Sequence, residues 1–150
     1  MPQRLPFRYY LRVRYGEVDA QKVVFNSRYS EYVDIACTEF IRAIGFGAAL
    51  LDHSLDYQLV KQTIEWQAPA RFDHVLEIRM FAVRLGKTSF TLGTEFRIAG
   101  QDRVIATGET VYVMVDHATL TKRVLPDDFR AALDAGAAGV TVDHAGYVAR

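Results

Sequence analysis

Across residues 27–44 the apolar side chains Tyr29, Val33, Ala36, Cys37, Phe40 and Ile44 recur at i, i+3, i+4 and i+7, whereas on both sides of this segment apolar residues alternate with polar ones. A single long amphipathic helix is therefore set among strands, and neither an all-helical nor an all-strand architecture accommodates both periods. Gly45 follows the last periodic residue and reads as the helix stop.

Period two runs through Phe7, Tyr9, Leu11, Val13 and Tyr15, and returns in 63–68, 75–83, 88–98 and 104–115. The short segments Leu85-Gly86-Lys87 and Ala99-Gly100-Gln101-Asp102 are turn-like, so the last three strands are expected to form an antiparallel meander. Pro69 separates the first of the later strands from the rest. The predicted class is α+β: a five-stranded antiparallel sheet wrapped around one long central helix. A single domain is expected over 1–150, with its core in about 7–130 and a loose C-terminal tail at 131–150, in which residues 128–133 offer a short helix. One helix leaves a sheet face and an edge strand uncovered, so self-association to a dimer or tetramer is expected.

Half of the 150 residues are hydrophobic, enough to build a core without metals or disulfides. Cys37 is the single cysteine, and His53, His74, His117 and His144 show no zinc-ligand spacing, so no metal is expected. Net charge is zero with basic and acidic residues intermixed, which argues against nucleic acid as a partner. No run approaches the ~20 apolar residues of a membrane span, and a cytoplasmic protein is expected. The P-loop and the Gly-x-Ser-x-Gly nucleophile elbow are both absent from the sequence.

The chemistry-bearing stretch is RYGEVDAQKVVFNSRYSEYVD, residues 14–34. It places an acid, Asp19, a few residues before the apolar run Val23-Val24-Phe25, and then Asn26 and Ser27, candidate caps of the helix. A helix start offers unpaired N–H groups and the positive end of the dipole, which attract a developing oxyanion. Acid, oxyanion donor and apolar wall on one segment suit acyl transfer.

The motif resembles that of the hotdog-fold thioesterases, the 4-hydroxybenzoyl-CoA thioesterase-like and YbgC-like acyl-CoA thioesterases, over roughly residues 7–130. The resemblance is carried by Glu17-Val18-Asp19, Val23-Val24-Phe25, Tyr29, Gln67-Ala-Pro-Ala-Arg71 and Arg123-Val-Leu-Pro126. It implies that Asp19 is the catalytic carboxylate, as nucleophile or general base, and that the backbone N–H of Asn26 is the oxyanion donor. Val23, Val24 and Phe25 would enclose the acyl chain. Arg84, Lys87, Thr88, Ser89 and Arg123 are candidate contacts to coenzyme A, which enters as part of the acyl-CoA substrate and not as a cofactor. Two residues depart from the family pattern: Lys22 stands where glycine is usual, and Asn26 where histidine or tyrosine is common. Glu17 is expected to face solvent. Two alternatives share the fold: a non-catalytic acyl-thioester-binding or scaffold protein, and a hotdog hydratase, which is disfavoured because no histidine accompanies Asp19.

Overall fold

The computed structural model describes residues 5–148; residues 1–4 and 149–150, counted above in the single domain, lie outside the described residues. Strand β1 (Phe7–Arg12) is followed by a 3-10 turn (Tyr15–Glu17), the helix α1 (Arg28–Ala43) and a short helix α2 (Gly47–Leu51). Strands β2 (Asp56–Trp66), β3 (Val75–Leu85), β4 (Ser89–Ile98) and β5 (Val104–Val115) come next, then α3 (Asp127–Ala135) and β6 (Thr141–Asp143). The strands form one sheet in the order β2-β5-β4-β3-β1-β6.

The predicted meander is present, β3 to β4 to β5, all antiparallel. β1 returns antiparallel to β3, and β2 pairs with β5 alone, which leaves β2 as a free edge. The sheet covers the apolar stripe of α1: Tyr29, Val33, Ala36, Cys37 and Phe40 are buried with Leu76, Ile78, Phe90, Leu92 and Phe96. Burial pushes the Cys37 thiol up to about 11, so it behaves as a small core side chain. The helix ends in a Schellman motif, where Phe46 N–H donates to Ile41 O and Gly45 N–H to Arg42 O, with Gly45 at φ 98°.

Two expectations are corrected. Among the described residues the sheet has six strands and is not purely antiparallel, because Thr141–Asp143 lies parallel to β1, with Arg8 opposite Thr141 and Tyr10 opposite Asp143. The tail at 131–150 is not loose over its described part: α3 buries Phe129 and Leu133 in the core, and β6 follows it. A three-residue strand carries no readable periodicity, so its pairing is set by the core beneath α3 rather than by its own sequence. No helix among the described residues is long and apolar enough to cross a membrane.

Candidate active site

The segment from Glu17 to Asn26 is held in place by its backbone. Asp19 N–H donates to Val23 O (2.9 Å) and Lys22 N–H to Asp19 O (2.9 Å), closing a tight turn. Val24 N–H donates to Ala70 O (2.8 Å) and Phe72 N–H to Lys22 O (3.1 Å), which ties the turn to the Gln67-Ala-Pro-Ala-Arg71 segment. Lys22 has φ 63°, in the left-handed region, which accounts for the usual glycine at this position. Its ammonium lies over the Tyr15 ring, 4.4 Å from the centroid, and donates to the Tyr15 hydroxyl at 3.3 Å. The cation is thus engaged by an aromatic neighbour, and no ion pair with Asp19 is formed among the described residues.

The Asp19 carboxylate is exposed, and its Oδ1 accepts the Gln21 N–H at 2.8 Å in an Asx turn. Oδ2 has no donor among the described residues, leaving one oxygen available for chemistry.

Glu17 differs from expectation. It is buried, because the chain turns as a 3-10 helix where strand alternation would have aimed it at solvent. Its Oε1 accepts from Arg14 N–H (2.7 Å) and the Tyr32 hydroxyl (3.1 Å), and its Oε2 from Arg14 Nε (3.1 Å) and Nη2 (2.9 Å). Burial raises the carboxyl pKa, but the Arg14 and Tyr32 hydrogen bonds and the Arg14 charge outweigh it, so the pKa lies below the usual value. A depressed folded pKa stabilises the protein above the unfolded carboxylate value of about 4.3, and that contribution is lost as pH falls through the folded value. Melting temperature should therefore drop more steeply below pH ~4 in wild type than in Glu17→Gln; parallel profiles would show that Glu17 does not couple to folding.

The start of α1 also departs from a capped helix. Ser27 is already helical (φ −66°, ψ −18°), and no side chain caps the end; instead Arg28 N–H donates to Phe25 O (2.9 Å) and Tyr29 N–H to Asn26 O (3.3 Å). The N–H groups of Asn26 and Ser27 have no acceptor among the described residues. Asn26 lines a cavity of about 410 Å³ together with Val24, Tyr29, Trp66, Gln67 and Pro69. A second hollow of about 280 Å³, against Ser30, Gln62 and Ile64, shares Asn26 and Trp66 with it. Trp66, the sole tryptophan, is half exposed and meets the buried Tyr29 ring edge to face at 5.9 Å. Its position immediately before Gln67 was the available signal for a lining residue that periodicity passes over.

The sequence-derived candidates do not all meet within one chain. Val24 lines the cavity, whereas Val23 and Phe25 do not, and Phe25 is half exposed. Asp19 stands on the neighbouring turn, outside the lining. Arg84, Lys87, Thr88 and Ser89 occupy the β3–β4 hairpin, where Ser89 pairs with Val113 and Val113 with Gln58. They lie roughly 25 Å along the strands from Trp66 at the usual rise per residue. Arg123 is at that same far end, its Nη1 donating to Ser54 O at 2.9 Å.

A model of the thioesterase-like superfamily matches residues 13–133. The acyl-CoA thioester hydrolase YbgC of Escherichia coli O157:H7 is 31% identical over 121 residues, covering 80% of this chain and 90% of that protein. A gentisyl-coenzyme A thioesterase of known structure superposes with a TM-score of 0.74 at 31% identity, over 84% of this chain and 98% of that one. A hypothetical protein from Aquifex aeolicus gives a TM-score of 0.78 at 28% identity, over 86% of this chain and 100% of the other. This chain belongs to the thioesterase-like superfamily, and its sheet around α1 is the hotdog fold.

Proposed function

We propose that this chain is an acyl-CoA thioesterase, releasing a free acid and coenzyme A. The observation that carries the reading is the uncapped start of α1, where the unpaired Asn26 N–H borders an aromatic-walled cavity. That N–H donates a hydrogen bond to the thioester carbonyl oxygen as negative charge develops on it, a contribution of about 3–4 kcal/mol in comparable sites. Asp19 either takes the proton of a water that attacks the carbonyl carbon, or attacks that carbon itself to give an acyl-enzyme anhydride that water then hydrolyses; on either route the C–S bond breaks, the new C–O bond of the free acid comes from one water consumed, and the coenzyme A thiolate leaves as the thiol with a proton from that water. Val24, Tyr29 and Trp66 border the acyl group. These steps call on a carboxylate, an N–H donor and water, with coenzyme A entering only as part of the substrate.

Assembly completes the site in this account. The free edge β2 carries exposed Leu59 and Val60, and a bulge between Leu59 and Lys61. Antiparallel pairing of β2 with a second copy sets the Asp56 end of one strand beside the Trp66 end of the other. The Arg84–Ser89 hairpin of that copy then approaches this chain's cavity, along with Val23 and Phe25 on the rim. Sedimentation at micromolar concentration should give a dimer or a dimer of dimers, and a monodisperse monomer would exclude the arrangement. Loss of charge at Arg84 or Lys87 should raise KM by up to about fivefold with kcat unchanged, the scale of an exposed ion pair of ~1 kcal/mol. Unaltered KM in both variants would remove the hairpin from coenzyme A binding.

A non-catalytic acyl-thioester-binding protein is favoured by one observation, the Asx turn that gives Asp19 a structural task of its own. Initial rates of thiol release across short, branched, medium-chain and aromatic acyl-CoAs decide between the two. Turnover of at least one member is expected, and binding without turnover across the panel would favour the scaffold.

A further inference from the structure

At the opposite end of β2 from Trp66, His53 and Asp56, three residues apart, are met by His117 from the far end of β5. Asp56 opens β2 and sits opposite Val115, so the strand pairing sets the loop carrying His53 against the turn carrying His117. His117 Nδ1 lies 3.0 Å and His53 Nδ1 3.6 Å from the same oxygen, Asp56 Oδ2, and the three ligand atoms are all within 4.8 Å of one another. The two imidazoles stack at 3.7 Å between centroids, 21° from parallel.

Neither approach has hydrogen-bond geometry. Asp56 Oδ2 is shielded from solvent and has no hydrogen-bond partner among the described residues, although two imidazole nitrogens face it. A shielded carboxylate oxygen without a donor is costly, and a cation held between it and the two nitrogens would remove that cost. The supports are already in place. Asp52 Oδ1 accepts Ser54 N–H at 2.9 Å beside His53, Asp116 Oδ1 accepts the N–H groups of Ala118 and Thr119 at 3.0 Å beside His117, and Arg123 Nη1 binds Ser54 O across the two turns.

We propose that His53, Asp56 and His117 form a binding site for a divalent transition-metal ion, zinc by preference. Bond lengths near 2.0–2.2 Å in a tetrahedron separate neighbouring ligand atoms by ~3.3 Å, and the observed 3.0 and 3.6 Å bracket that value; the two rings, stacked 21° from parallel, turn apart on binding so that both Nδ1 lone pairs meet the ion. Two imidazoles and one carboxylate suit zinc, nickel or copper, whereas magnesium and calcium call for all-oxygen shells. Both histidines are half exposed, which leaves an entry path and a position for water. The ion would fasten the β2 entry to the β5 exit, about 33 Å along β2 from Trp66 in the same chain at the usual strand rise. No step of thioester hydrolysis runs through it. The absence of a histidine ligand spacing in the sequence is no obstacle, because the β2–β5 pairing brings His117 to His53 and Asp56.

The test is zinc titration of chelator-stripped, tag-free protein by calorimetry, with magnesium as the comparison ion. One zinc per chain and no magnesium uptake are expected, along with a zinc-dependent rise in melting temperature. His117→Ala and His53→Asn, the latter chosen because asparagine tolerates the φ of 64° at this position, should each weaken zinc binding by at least about tenfold. Circular dichroism verifies that both variants are folded. No zinc uptake by wild type, or equal uptake in both folded variants, would overturn the proposal, and either result is independent of thioesterase turnover.

Discussion

Asp19→Asn should lower kcat by at least ~10²-fold while leaving fold, assembly and acyl-CoA affinity intact. The geometry makes this a clean substitution: the asparagine side-chain oxygen can still accept the Gln21 N–H, so the Asx turn survives and only charge and basicity are removed. Glu17 is unsuitable as the control carboxylate, since it is buried beneath Arg14 and Tyr32. Glu31→Gln serves instead, because that carboxylate is exposed on α1 and, among the described residues, paired only with Arg28. Equal loss in both variants would mean general damage. Full activity in Asp19→Asn would confine the residue to its turn and remove it from the chemistry.

The largest effect on stability is expected from Phe40→Ala. Phe40 is fully buried in the last turn of α1 and meets Phe7 of β1 edge to face at 5.4 Å, so truncation opens a cavity where helix and sheet join. The expected cost is about 3–5 kcal/mol, with a fall in melting temperature on the order of 10 °C. Leu51→Ala, at a side chain that is 80% exposed, should stay within ~0.5 kcal/mol. Denaturant unfolding of the two variants checks the contrast; similar losses would mean that α1 does not anchor the core.

The parts of the fold legible in the sequence are those in which each residue's burial follows from its own period. α1 and the β3–β5 meander fall into that group, since their apolar residues face one common core. β6 and the burial of α3 do not, because they depend on contacts with β1 and with the core that no local pattern encodes. Glu17 was hidden for a related reason: a single 3-10 turn rotates it inward and breaks the alternation. At the site, the Glu17-Val18-Asp19 to Asn26 segment was readable as a motif, whereas Trp66 and Gln67 reach the cavity only through the pairing of β2 with β5 and the backbone link from Val24 to Ala70. That His117 joins His53 and Asp56 likewise follows from strand register, which sets Asp56 opposite Val115.

Product balance during turnover tests the central claim most directly. An unsaturated acyl-CoA is incubated with the purified protein, and thiol, free acid and residual thioester are quantified together. Hydrolysis predicts one thiol and one free acid for each thioester consumed, with the carbon–carbon double bond intact and the rate dependent on Asp19. Recovery of bound but unaltered acyl-CoA, or of a hydrated product with its thioester intact, would contradict it.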